Sequence, residues 1–180
     1  MLGQKSKHAD VCYKNKWIGT HYGFNESLEN KFLTNKQEFN KINIPIYLKN
    51  HPGSKKHSAA LSCGMLYTIC KGIRKGDIVV CPDGDRNYWI GEVVSDYYFK
   101  GNEKLIDGES MPHRRNVEWF DTIIVRDSMS EILRNSTGSI GTVSEITPHK
   151  DEIENFLKGQ KTNKVFSLDK TVINASQFAI

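Results

Sequence analysis

Between Lys71 and Trp119 three strand-forming runs follow one another, separated only by turns and one polar loop. The stretch opens KGIRKGDIVVCPDG, continues YWIGEVVSDYYF and closes MPHRRNVEWF. A basic turn enters a strand at 77–81, a polar turn at 82–87 leads to a second strand at 88–95, and a third is expected at 116–120, with 121–125 extending its pattern. Tyr97, Tyr98 and Phe99 follow the second strand, and His113, Arg114 and Arg115 precede the third. Strands that end in aromatic and basic loops suit a chain that grips something flat and anionic, and a nucleic acid with an exposed base fits that description.

The flanking segments read as short helices around these strands. A strand-like stretch, WIGTHYGF, is punctuated by Gly19 and Gly23, and 27–33 suits one helical turn or two. Thr34 and Gln37 form a T-x-x-Q capping box, which predicts a helix to about Ile42 with Pro45 as its stop. Ser58 is expected to cap the next helix, SAALSCGMLYTIC, whose apolar residues crowd more than one face and imply burial on most sides. Gly72 ends it. Ser128 and Glu131 make a second capping box for a short helix ending near Asn135, and a strand follows at 142–146. Thr147 and Pro148 then start a last helix that turns Ile153, Phe156 and Leu157 inward.

Short strands and short helices without regular alternation predict an α+β chain: a largely antiparallel barrel or half-barrel with helices packed outside, not a doubly wound sheet. The main domain is expected over 1–158. The remaining 159–180 is a linker, GQKTNK, followed by an appended strand or the start of a further region.

Composition narrows the classes of function. At 180 residues, 38% hydrophobic and 26% charged, the chain supports one packed domain and is not globally disordered. A net charge of +4 permits nucleic-acid binding without requiring it. No run approaches ~20 apolar residues, so no membrane span is expected, and the polar start MLGQKSKHADVC lacks the apolar core of a signal peptide. The cysteines Cys12, Cys63, Cys70 and Cys81 form no CxxC pair and have no histidine at zinc spacing, which predicts free thiols, no metal, no cofactor and a reducing cytoplasm.

The runs LSCGMLYTICKGIRKGDIVVCPDG, GEVVSDYYF, MPHRRNVEW and MSEILRNSTGSIGTVSEI, in that order, resemble the N-terminal region of Mrr-like restriction endonucleases. The resemblance spans about 2–157. It implies an EVE-like module of the PUA superfamily, similar also to the YTH readers: a small mixed β-barrel that holds an extruded base among aromatic rings. Related modules stand at the N-terminus of McrB-like restriction proteins and read methylated DNA, and longer relatives carry a C-terminal Mrr-type nuclease. The implied partners are modified, methylated DNA and a nuclease domain or subunit in cis or in trans.

On this reading the base-binding candidates are Trp17, Tyr22, Tyr67, Tyr97 and Tyr98, since an unstacked base needs flat partners. Tyr97 and Tyr98 face opposite sides if extended, so at most one of them lines the pocket directly. Trp89 and Trp119 are assigned to the core, and core packing competes for every ring. Asp96 is the first choice for reading the base edge, with Asn25 and Ser95 beside it. Lys71, Arg74, Lys75, His113, Arg114 and Arg115 are candidates for the phosphate backbone, with solvated loops as the bland alternative. The glycine turn at 136–141 either lends N–H groups to a phosphate or is a plain turn.

Catalytic patterns are weak. Pro82-Asp83 and Glu92-Val93-Val94 are similar to the PD…ExK pattern of many nucleases, but that chemistry needs a lysine where Val94 stands. The acids are expected as a turn aspartate and an edge-strand glutamate, and no GxSxG elbow is present. A reader of modified RNA, a stand-alone metal-dependent nuclease and a pure assembly domain remain as alternatives.

Overall fold

The computed structural model describes residues 1–32, 35–101, 103–138, 143–159 and 172–174. Helix α1 (Ala9–Lys14) leads into strand β1 (Trp17–Thr20), and helices α2 (Lys36–Asn50) and α3 (Lys56–Tyr67) follow. A π-helical turn, Thr68–Gly72, prolongs α3 and ends at the expected glycine. Strands β2 (Ile78–Pro82), β3 (Asn87–Val93), β4 (Tyr98–Phe99) and β5 (His113–Val125) come next. Helix α4 (Glu131–Thr137), strand β6 (Ser144–Glu145), helix α5 (Lys150–Lys158) and strand β7 (Val172–Asn174) complete the order.

The strands form one curled, mainly antiparallel half-barrel in the order β1-β5-β3-β2-β7-β6, with β4 also on β5 and only β7 parallel to its neighbour β2. Strand β5 is long enough to serve several partners. Its first residues pair with β1 on one edge, from Thr20 opposite His113 to Trp17 opposite Asn116. The same residues pair with β4 on the other edge, and the remainder pairs with β3, from Val93 opposite Val117 to Asn87 opposite Val125. β3 and β4 therefore share one edge of β5, and residues 94–97 bulge out of the ladder between them.

Alternation along the strands divides the core. Ile78 and Val80 of β2 face a cluster closed by Leu133 of α4 and by Ile153 and Leu157 of α5. Val79 and Cys81 face the other way, into a cluster with Trp17, Ile18, Trp89, Val93 and Val117. A third cluster lies under α2 and α3, where Phe24, Leu28, Phe32, Phe39, Cys63, Leu66 and Cys70 are buried together. All the cysteines are free and buried, and burial pushes the Cys12 and Cys81 thiols up to about 12. Trp89 and Trp119 stack around Tyr13 at 4.4 and 5.7 Å, beside the first core.

Several boundaries differ from the sequence reading. α2 runs through Pro45 to Asn50, because the proline sits on the exposed side and Lys41, one turn back, is exposed as well, so water can satisfy the carbonyl that the ring leaves unpaired. Its cap is Asn35, whose Oδ1 accepts from the Glu38 amide at 3.0 Å, while Thr34 of the expected box lies outside the described residues. α3 starts at Lys56, before Ser58, without a side-chain cap. Ser130 caps α4, accepting from the Leu133 amide at 3.1 Å, and its N–H and O–H both donate to the Glu152 carboxylate on α5. Ser128 instead donates to the Val125 carbonyl. Most of 159–180 and part of the 136–141 turn lie outside the described residues.

Gly91 makes the closest approach in the sheet. A Cβ there would lie 2.4 Å from Val117 Cγ1 and 2.7 Å from Trp119 Cε3, beside the register shift between Trp89 and Gly91. Gly91→Ala is expected to cost about 2 kcal/mol through forced repacking. Urea unfolding with an unchanged m-value checks this, and an unchanged midpoint would contradict it.

Candidate functional site

The third strand begins earlier than its apolar pattern suggested. β5 starts at His113, so His113, Arg114 and Arg115 lie within a strand that has neighbours on both edges. All three are interior side chains, exposed by 0%, 3% and 4%. This corrects the expectation of phosphate contact from these residues: a buried, bonded side chain cannot reach a backbone that approaches through solvent.

His113 and Arg115 point to the same face and gather distant segments there. His113 Nε2 donates to the Phe24 carbonyl at 2.9 Å, and its Nδ1 accepts from the Tyr97 hydroxyl at 3.0 Å. The Tyr97 oxygen in turn accepts from the Leu28 amide at 3.1 Å. This chain of donors fixes a neutral ring with the proton on Nε2, and burial lowers the His113 pKa to about 4. Burial raises Tyr97 to about 12.

Arg115 does the same for two other segments. Its Nε donates to the Ile69 carbonyl at 2.8 Å, one terminal nitrogen to the Cys70 carbonyl and the other to the Ser95 carbonyl at 3.2 Å. The guanidinium thereby satisfies carbonyls at the end of the π-helical turn and joins that turn to the 94–97 bulge. Desolvation lowers the Arg115 pKa from its ordinary value.

Beyond the turn, the Arg74 amide donates to Asp77 Oδ2 at 2.8 Å, the Asp77 amide donates to the Arg74 carbonyl at 3.1 Å, and Gly76 takes a φ of 95°. This tight loop leaves Lys71, Arg74 and Lys75 exposed. Across the Arg115 tie, Asp96 is exposed at the crest of the bulge. The Ser95 hydroxyl is already engaged, accepting from the Asn116 amide and donating to the Asp96 carbonyl. Asn25 is bonded to His21 at 2.7 Å.

The predicted rings fall into two groups. Tyr22, Tyr67 and Tyr97 are half-buried and pack against the cluster under α2 and α3. The Tyr22 hydroxyl donates to Met65 Sδ at 3.4 Å, while the Tyr67 and Tyr97 rings meet Phe32 edge-on at 6.2 and 5.3 Å. Trp17 and Tyr98 lie on the opposite face of β1 and β5. The Arg114 guanidinium covers one face of the Trp17 ring at 3.9 Å and the ring is buried in the first core cluster, so Trp17 leaves the set of stacking candidates. Gly19 makes room for this stack, since a Cβ there would lie 3.1 Å from Arg114 Cγ. Tyr98 donates to Asn116 Oδ1 at 2.8 Å. As the alternation required, Tyr97 and Tyr98 face opposite sides.

Two other polar clusters are explained by structure. The Asp83 carboxylate accepts from the Asp85 amide and from the Asn87 amide and side chain, so it closes the β2–β3 turn. His8, Asp107 and Glu109 bring ligand atoms within 4.8 Å of one another, but the Lys7 ammonium stands 2.9 Å from Asp107 and supplies the positive charge there.

Sequence reasoning missed Phe24, Leu28, Ile69 and Cys70, because each contributes a backbone atom and not a side chain to the site, and it named Ser95 for its hydroxyl where the backbone carbonyl is what Arg115 binds. The nearest signal was the pair of polar residues, His113 and Arg115, spaced two apart at the head of a strand pattern.

A family model described as a domain of unknown function matches residues 2–147. No curated protein matches, and no solved structure matches.

The His113 environment predicts a pH signature. Its folded value of about 4 lies below the ordinary 6.5, so the unfolded chain binds the extra proton between those limits. The contribution is complete above about pH 6.5 and is lost as pH falls toward 4, reaching about 2 to 3 kcal/mol. Chemical unfolding of the wild type and of His113→Gln at pH 7 and at pH 4.5 isolates it. The wild type is expected to lose more stability by that amount, and parallel losses would contradict the assignment.

Proposed function

We propose that this chain, which belongs to the DUF8426 family of unknown function, is a DNA-binding module that reads a modified base. One observation carries the reading. A basic turn, an exposed acid on a bulge and half-buried tyrosines come from separate parts of the sequence and are tied to one region by His113 and Arg115. Positive side chains supply affinity for phosphates, flat rings supply a surface for a base, and a carboxylate accepts from the amino group on a base edge.

The roles divide accordingly. Lys71, Arg74 and Lys75 hold the backbone. Tyr22, Tyr67 and Tyr97 line the wall against which the base stacks, and Asp96 reads its edge. The resemblance in motif order supports the finer fold, an EVE-like barrel of the PUA superfamily, and the curled half-barrel with outer helices is compatible with it. The same resemblance supports a place as the specificity part of a modification-dependent restriction system, with a nuclease domain or subunit as partner.

An anisotropy screen of duplexes carrying different modified bases, at fixed salt, tests the reading. Tyr67→Ala is expected to weaken binding to the preferred modified duplex by about tenfold, the effect of losing one stacked ring, and to change plain-duplex binding by less than about twofold. Equal losses on both would remove the stacking role. Replacing Lys71, Arg74 and Lys75 together with glutamate should weaken both duplexes alike and flatten the salt dependence by about 0.9 for each phosphate no longer neutralised. A parallel titration with methylated single-stranded RNA decides the substrate, since tighter binding there would move the assignment from DNA to RNA.

A further inference from the structure

Positive charge is not spread evenly along the chain. Between Glu38 and Asp77 there is no acidic residue, and the segment carries Lys41, Lys49, Lys55, Lys56, Lys71, Arg74 and Lys75. The whole chain nets only +4, so the rest of it is net negative. The excess belongs to the α2–α3 hairpin and the turn after it, the part that closes over the cluster on which Tyr22, Tyr67 and Tyr97 pack. Lys71, Arg74 and Lys75 already have a role in the proposed function. Lys49, Lys55 and Lys56, at the other end of α3, have none, and all three are exposed.

Exposed lysines are ordinarily just solvated, but the loop that carries these is fixed beside the proposed base wall. Asn50 Nδ2 donates to the Gly23 carbonyl at 2.9 Å. His51 follows, its Nδ1 donating to the Tyr47 carbonyl at 3.0 Å and its ring stacked on Tyr47 at 4.1 Å. The His51 ring abuts Gly23, where a Cβ would strike it. Pro52 and Gly53 then make a tight turn, closed by the Ser54 amide donating to the His51 carbonyl at 3.1 Å. Gly23 adjoins Tyr22, whose hydroxyl donates to Met65 toward the far end of α3. Tyr22 therefore spans from this loop toward the end of α3 that leads to Lys71.

We propose that Lys49, Lys55 and Lys56 form a second phosphate contact, which grips the DNA on the opposite side of the tyrosines from the 71–75 turn. The proposal rests on the base-reading assignment above and adds where the flanking duplex lies. α3 has 12 residues, so its ends are about 18 Å apart. Phosphates along one strand rise by about 3.4 Å per base pair, so two basic groups this far apart meet different phosphates. Holding the backbone on both sides fixes the extruded nucleotide against the rings, and the absence of acids from this segment leaves nothing on it to repel phosphates.

The test compares three proteins on modified and plain duplexes over a salt series. They are the wild type, the loop variant Lys49→Gln/Lys55→Gln/Lys56→Gln, and a control with the same loss of charge, Lys14→Gln/Lys100→Gln/Lys104→Gln. The control residues lie on α1 and on the loop that Arg114 holds through Glu103, on the opposite face of β5. All six side chains are exposed, so both variants should fold as the wild type does. The loop variant is expected to weaken binding to both duplexes by on the order of tenfold and to flatten the salt dependence by about 2 to 3, whereas the control changes affinity by less than about twofold and leaves the slope unchanged. If wild type shows no preference for modified over plain DNA, the base-reading assignment fails and the flanking role falls with it. If wild type shows that preference but the loop variant binds as wild type does, or loses no more than the control, the second contact alone is overturned.

Discussion

Two inward-facing side chains at the head of β5 set the arrangement of everything around the candidate site. His113 and Arg115 direct their hydrogen-bonding groups to the Tyr97 hydroxyl and to backbone carbonyls from segments far apart in sequence: Phe24, Ile69, Cys70 and Ser95. A buried polar group left unpaired costs on the order of 1–3 kcal/mol, so each of these bonds penalises any other placement of its partner segment. The π-helical turn is one result: carbonyls at a helix end need donors, and Arg115 supplies them from the sheet.

Such an arrangement is not the cheapest way to fill a core. Well-packed apolar residues often stabilise as much as a buried charge does. What Arg115 adds is position, because a planar fork can reach the π-helical turn and the bulge together. The side chains of Lys71, Arg74, Lys75 and Asp96 are exposed outside this frame, and the proposed function assigns them to contact with nucleic acid. On the far face of the strand, Arg114 is committed to Trp17, Met111 and Glu103, which makes that side a packed wall.

The sequence made the architecture readable where local rules suffice. The apolar run IVVCP formed β2, the polar turn after it was the hairpin loop closed by Asp83, and Gly72 ended its helix. Local rules failed where the deciding partner is distant. The triplet at 113–115 read as a basic loop because charge usually marks a surface; only the carbonyls facing it show why it is buried. Pro45 read as a stop because the pattern does not show that its side of the helix is open to water. The rings read as one set because their residue type is visible in sequence, whereas the face each occupies depends on where β5 begins.

The most direct measurement is chemical-shift mapping of the isotope-labelled chain during titration with the preferred modified duplex. The largest changes are expected on Lys71–Lys75, Asp96, Tyr67 and Tyr97, with the Tyr13, Trp89 and Trp119 surface unchanged. Changes centred on that surface, or on the outer side of α2, would show that the ligand binds away from the region His113 and Arg115 assemble, and would contradict the base-reading assignment.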